Sequence, residues 1–286
     1  MTSPLRTLPE AIQRLKPLDA VADPVSKAVT EVLPPGRVKD LLAGTWLGHP
    51  THPMLTDVTV GAWTSAFVLD AVGGERTEAA ADTLVGLGVL SAVPTALTGL
   101  ADWVDTWGPT RRVGTVHAAG NLVAAGVYGL SWIARKRGAR GLGVALGVLG
   151  AGIASATAYL GGHLVYGKGV GVDASVFEHG PKKWAAVAEE ADVPAEGAGG
   201  LAVKAGDTEI ALFRQGGWVC AIAERCTHRG GPLHKGEVRD GRVACPWHGS
   251  EFDVCSGAVV RGPATAPQQA YETRVEDGRV EVRLAR

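Results

Sequence analysis

Cysteine is scarce in this chain, with four residues in 286. So few thiols exclude the disulfide framework of a small secreted domain. Charge of one sign is also lacking. Lys and Arg total 28 against 29 Asp and Glu, for a net charge of −1. No basic stripe is interleaved with aromatics, so nothing makes the electrostatic case for nucleic acid. The first fifty residues contain no apolar core with a cleavage site, and no signal peptide is expected there. The most informative absence is local: residues 83–101, 113–134 and 141–167 contain no Asp, Glu, Lys or Arg.

About 20 such residues span a bilayer core. Those three stretches qualify by length, and residues 54–73, with one uncharged core between Asp57 and Asp70, form a borderline first span. Pro94 in the second is tolerable in a membrane helix with packing neighbours. Small residues recur four apart at Gly143, Gly147, Ala151 and Ser155, and in the pairs Gly114/Ala118 and Gly120/Ala124. Such faces let helices approach closely in lipid. A four-helix transmembrane bundle over residues 51–172 is therefore expected. Residues 1–50 read as an arm of short helices, started by Asp23-Pro24 and stopped by Pro34-Pro35-Gly36, that lies at the membrane surface, against the bundle, or free in solvent.

Four spans return both termini to one side. Arg37, Lys39, Arg111, Arg112 and Lys168 flank the spans there, and Arg135, Lys136, Arg137 and Arg140 flank them on the other, so the positive-inside count does not decide orientation. The expectation is a multi-pass protein of the cell (inner) membrane with cytoplasmic termini, because no export or twin-arginine leader precedes the chain. His49, His52, His117 and His163 then gather at the terminal end of the bundle. Ionisable groups inside spans mark function by default. A haem b, a non-haem metal or a quinone held by His52, His117 and His163 competes with simple interhelical hydrogen bonding. Residues 49–73 and 157–172 resemble an uncharacterised bacterial four-helix membrane family, a similarity that covers residues 20–172 and implies the bundle but no activity.

After Gly171 the text changes. Short alternating segments such as Glu209-Ile-Ala-Leu-Phe and Arg279-Val-Glu-Val-Arg-Leu are divided by Gly-Gly and Asp-Gly turns, which is all-β text. Residues 173–182 read as a linker and 183–286 as a β-sandwich. Within it stands Cys226-Thr-His228, followed after sixteen residues by Cys245-Pro-Trp-His248. Two Cys and two His also suit a zinc site, but a single residue separates the first pair, where zinc sites favour two to four. Cys220 and Cys255 sit in strand-like text and are read as buried free thiols, with a disulfide as the alternative. His179 and His234 read as surface residues.

The text CTHRGGPLHKGEVRDGRVACPWHGSEFD resembles the two ligand loops of a Rieske 2Fe–2S centre. That resemblance implies that Cys226 and Cys245 hold one iron and that His228 and His248 hold the other at an exposed tip. Two thiolates and two neutral imidazoles leave the oxidised cluster neutral, whereas four thiolates leave a dianion. Reduction is therefore easier, at roughly −150 to +300 mV against about −400 mV for plant-type ferredoxins. The quinol-oxidising type carries an extra Cys in each loop. Gly231 and Trp247 stand there, so that bridge is absent. Ser250 matches the serine that bonds to a cluster sulfide, Phe252 replaces a tyrosine donor, and the loop through Pro263 matches the one that covers the cluster. These features imply the ferredoxin type, in the low or middle part of the Rieske range.

The expected protein is thus an all-α transmembrane bundle followed by an all-β Rieske-type sandwich. It would be a membrane-anchored electron carrier working between redox partner proteins or quinone, in contact with membrane lipid. The ferredoxin component of a multi-subunit oxygenase and a redox-sensing membrane protein are the alternatives. Too little chain follows His248 for the mononuclear iron domain of a self-contained oxygenase.

Overall fold

A computed structural model describes residues 4–285 and divides the chain into two units. One comprises the arm up to Leu33 with Thr51–Val170. The other comprises Pro34–Pro50 with the chain from Gly171 onward.

The first unit is helical. Helices α1 (Pro4–Arg14) and α2 (Asp19–Val32) precede four long ones, α4 (Thr51–Val72), α5 (Glu78–Val104), α6 (Gly108–Lys136) and α7 (Arg140–Gly162). The long helices pack in sequence, and α4 also meets α7. Helix α2 starts before the expected Asp23-Pro24 signal, at Asp19, and Pro24 lies inside it, where its ring removes one backbone hydrogen bond. The arm does not lie free. Arg111 pairs with Asp23 at 2.9 Å, and Arg112 pairs with Asp19 at 2.5 Å. Arg112 also donates to the Gln13 carbonyl at 2.6 Å.

This unit is built with small and polar groups inside and aliphatics outside. Ala66, Ala81, Ala124, Thr59, Thr98 and Ser131 are buried, while Leu90, Val93, Leu97, Leu122, Val123 and Leu142 are exposed. That arrangement suits lipid and would be unfavourable in water. Among the described residues two helical segments, Glu75–Val104 and Arg140–Gly167, are long and apolar enough to cross a membrane, and only 28 % and 22 % of their apolar windows are buried. The expected third span falls short of that standard because His117, Asn121 and several glycines dilute its apolar content.

The unit carries an internal repeat in its contacts. His52, Trp63 and Asp70 on α4 are matched step for step by His117, Tyr128 and Arg135 on α6. Gly88, Thr95 and Gly99 on α5 are matched in the same way by Gly150, Thr157 and Gly161 on α7. Matched positions meet each other: Trp63 stacks on Tyr128 with centroids 4.0 Å apart, and Asp70 pairs with Arg135 at 2.5 Å. Both rings rest where a Cβ would collide, at Gly88 for Trp63 and at Gly150 for Tyr128. Arg135 also pairs with Asp82, and Arg140 joins Asp70, Asp82 and Glu78, so charges from all four helices close one end. Arg135, counted from sequence as a flanking charge, is internal to the unit.

The second unit is all-β apart from α3 (Arg37–Ala43) and short turns. Strands β1 (Ala185–Glu189), β2 (Leu201–Ala205), β3 (Thr208–Gln215), β4 (Trp218–Ala223), β9 (Ala270–Glu276) and β10 (Arg279–Leu284) form an antiparallel sheet in the order β1-β10-β9-β4-β3-β2. Strands β5 (Glu237–Arg239), β6 (Arg242–Ala244), β7 (Glu251–Asp253) and β8 (Val259–Arg261) form a second antiparallel sheet. The turns Asp240-Gly241 and Asp277-Gly278 have positive φ at both positions, the geometry that matches strand twist in two-residue hairpins. Strand β3 is buried on both faces. Ile210 and Leu212 pack with Val280 and Val282, while Phe213 packs with Leu233, Val243 and Phe252 of the smaller sheet. A Cys220–Cys255 disulfide joins β4 to the turn after β7, correcting the expectation of free thiols. The residues share no local signal, and only the packing of the two sheets brings them together.

Candidate functional site

Two loops of the small sheet's end have the same backbone design. In the first, the Cys226 N–H donates to Gly231 O at 2.9 Å, and the Gly230 N–H donates to Cys226 O at 2.7 Å. In the second, the Cys245 N–H donates to Ser250 O at 2.7 Å, and the Gly249 N–H donates to Cys245 O at 3.0 Å. Gly230 and Gly249 occupy equivalent positions with φ of 75°, a conformation costly for other residues. Each knuckle starts on a cysteine, and its histidine lies on the turn. Strand β6 leads into the second, while the first follows β4 through Glu224 and Arg225.

The knuckles bring the four expected residues together. Cys226 and Cys245 are buried, free of any disulfide, and within hydrogen-bond reach of each other. The rings of His228 and His248 lie with centroids 4.9 Å apart and nearly perpendicular. A Cβ on Gly231 would stand 2.7 Å from Cys245 Sγ, so the residue between the loops must be glycine.

The electrostatics prepare these groups as ligands. Contact with the Cys226 thiol, and the N–H groups of Trp247 and His248, pull the Cys245 thiol down to about 7, while the shared proton pushes Cys226 up. Burial, assisted by the charges of Lys39 and Arg229, brings His248 down to about 4. Burial and the His248 charge move His228 well down from the usual imidazole range. Neutral imidazoles and an easily formed thiolate are the states in which these side chains bind metal. The residues therefore fit a 2Fe–2S cluster with two Cys and two His ligands.

The surroundings hold the site from below and above. Ser250, fully buried, accepts the Ala264 N–H at 2.9 Å, which leaves its own O–H to donate elsewhere. Phe252 is fully buried in the core beneath. The loop through Pro263 is fastened by Thr227 Oγ1, which donates to Ala266 O at 2.8 Å. Glu224, which sequence reading passed over, is buried beside the first knuckle. It accepts the His234 N–H at 3.1 Å and contacts the His234 ring. His234 is thus a half-buried partner of Glu224 rather than a plain surface residue, while His179 is exposed. The expected exposed tip is corrected in one respect. His228 and His248 are only half-exposed, and the charge of Lys39, from a distant part of the chain, acts on both.

The histidines of the helical unit divide differently from expectation. His52 donates Nδ1–H to Thr95 O at 2.9 Å, and His117 donates Nδ1–H to Thr157 O at 2.8 Å. A carbonyl only accepts, so each tautomer is assigned by its partner. The two are matched in the repeat, lie against Gly99 and Gly161, and are close enough to interact electrostatically. His117 Nε2 accepts from the Asn121 amide at 3.1 Å. His163 sits in a π-turn after α7 and faces Gln13 at 3.4 Å, whereas His49 belongs to the other unit and is exposed.

Residues 183–272 match the family model of the Rieske [2Fe-2S] domain. Residues 48–174 match a family described as Predicted membrane protein (DUF2231). The chain is 40 % identical over 80 residues to an anthranilate 1,2-dioxygenase ferredoxin subunit of Burkholderia cepacia, covering 28 % of this chain and 74 % of that one. It is 33 % identical to ferredoxin CarAc of Metapseudomonas resinovorans, covering 28 % and 74 %. It is also 33 % identical to a cytochrome b6-f complex iron-sulfur subunit of Chlorobaculum tepidum, covering 35 % of this chain and 53 % of that one.

Proposed function

Because the chain belongs to the Rieske [2Fe-2S] family and joins that domain to one of a predicted membrane family, we propose that Cys226, His228, Cys245 and His248 make it a membrane-anchored electron carrier. When bound, the cluster supplies one-electron chemistry. Cys226 and Cys245 would hold the buried iron, and His228 and His248 the outer one. The single observation that carries this reading is the pair of matched knuckles, which brings two thiols and two neutral imidazoles to one place. The N–H groups aimed at the sulfurs favour thiolates. The Ser250 hydroxyl is free to donate toward the site, and the Pro263 loop excludes water. Spare hydrogen-bond donors of this kind raise a potential.

The ferredoxin relatives, matched over about three quarters of their length, favour an exchange between a reductase and an oxygenase or similar acceptor, with quinone as the alternative on the membrane side. The test is stopped-flow reduction of the detergent-solubilised protein by a ferredoxin reductase, followed by mixing with a terminal oxygenase. Rapid reduction and reoxidation support the carrier. Slow reduction with no effect on any acceptor favours the redox sensor.

A haem b in the bundle narrows to His52 and His117, because His163 is engaged elsewhere. Their Nδ1–H groups are tied to carbonyls in matched positions, the arrangement that metal-bound histidines use. Asn121 would have to release His117 Nε2. A Soret band lost on His117→Ala supports the site, and its absence from wild-type protein removes it.

For orientation, the Cys220–Cys255 disulfide favours the oxidising side of a multi-pass membrane protein over the expected cytoplasmic side, since cytosolic disulfides are rare. A membrane-impermeant maleimide on intact cells separates the two. Labelling of Cys255 only after added reductant supports the oxidising side.

A further inference from the structure

The Pro34–Pro50 segment lies outside the matched Rieske residues yet belongs to the β unit. Its helix α3 turns Lys39 and Ala43 inward, each 3 % exposed, and leaves Val38 and Leu41 outside. A lysine is seldom buried while apolar neighbours face out, so the inward face answers to something on the β unit. Two hydrogen bonds fasten it. The Gly262 N–H donates to Asp40 Oδ1 at 3.0 Å, and Thr45 Oγ1 donates to Ala264 O at 3.2 Å. The fit is close: a Cβ on Gly262 would lie 2.1 Å from Thr45 Oγ1, and one on Gly249 would lie 3.3 Å from Pro35. The segment therefore rests on the Pro263 loop and on the second knuckle, beside His248.

We propose that this segment is a wall of the cluster site contributed from outside the Rieske fold, and that Lys39 raises the cluster's reduction potential. Reduction adds one negative charge at the histidine-bound iron. A positive charge held nearby and out of water stabilises that form more than the oxidised one, and burial weakens the screening that would cancel it. Lys39 is buried on the inward face of α3, next to the Asp40 that is fastened to the Pro263 loop. The same wall covers part of the histidine edge, which accounts for its half-burial.

This inference rests on the Rieske assignment. The test is a redox titration of the full-length, detergent-solubilised protein, followed by circular dichroism, for wild type, Lys39→Gln and Lys39→Arg. The glutamine variant is expected to lose about tenfold in the equilibrium constant for reduction, a fall of about 59 mV for one electron. Lys39→Arg should stay near wild type. A second variant, Asp40→Ala with Thr45→Val, removes both fastening bonds while keeping the lysine. It should deepen the deuterium modulation of the reduced cluster in D2O. Lys39→Met takes the place of Lys39→Gln if the glutamine variant does not load. A wild-type potential in the uncharged Lys39 variant overturns the role of Lys39, and unchanged modulation in the double variant overturns the wall. A wild-type chain with no 2Fe–2S spectrum instead removes the assignment beneath it.

Discussion

His228 and His248 are held neutral by burial and by the nearby charges of Lys39 and Arg229. In the metal-free protein their folded values lie below that of an unfolded imidazole. The unfolded chain then binds more protons between about pH 6.5 and pH 4, so stability falls as pH drops through that window. Urea midpoints of the metal-free protein across that range should decrease toward acid, and a rise would contradict the burial. The ligands themselves were legible because each pair is local and its glycine lies in the same knuckle. Glu224 and Lys39 were not legible. Their roles depend on the Glu224 contact with His234 and on the docking of α3 against the Pro263 loop, and no spacing in the chain encodes those.

At the scale of elements, the two knuckles form one site only while the two sheets stay packed, and the Cys220–Cys255 disulfide fixes that packing. It closes a loop with a sequence separation of 35 that contains both ligand pairs. Cys255→Ser should cost about 2–4 kcal/mol, seen as a lower denaturation midpoint of the β unit's transition in the full-length protein. Wild type in reductant should behave alike, and an unchanged midpoint would make the bridge dispensable. The alternation of strand residues and the turns Asp240-Gly241 and Asp277-Gly278 made the β unit readable. The docking of α3 was hidden, because a seven-residue helix with mixed polarity carries no periodicity that names its partner. The repeat in the helical unit was hidden for a different reason. The identical matched residues, such as His52 and His117 or Thr95 and Thr157, are few and far apart, and the positions between them are filled by partners rather than copies, Trp63 against Tyr128 and Asp70 against Arg135.

Over the whole molecule, a helical unit with aliphatics outward carries a redox domain whose site is assembled from sequence-distant parts. The helical unit depends on its buried charges. Arg135, with its side chain 1 % exposed, answers Asp70 and Asp82 together. Arg135→Met leaves both carboxylates to Arg140 alone and should destabilise the unit by about 1–3 kcal/mol, read as earlier loss of helicity on heating in detergent. The pair Arg135→Met with Asp70→Leu should recover part of that loss. A single variant as stable as wild type would show that the network contributes nothing.

Whether two thiolates and two imidazoles hold a redox-active 2Fe–2S cluster is read from pulsed electron paramagnetic resonance of the dithionite-reduced protein grown with 15N-histidine. A 2Fe–2S signal coupled to two imidazole nitrogens is expected, reduced to one or lost altogether in His228→Cys. A protein that contains zinc and no iron, or a reduced cluster with no histidine coupling, would contradict it.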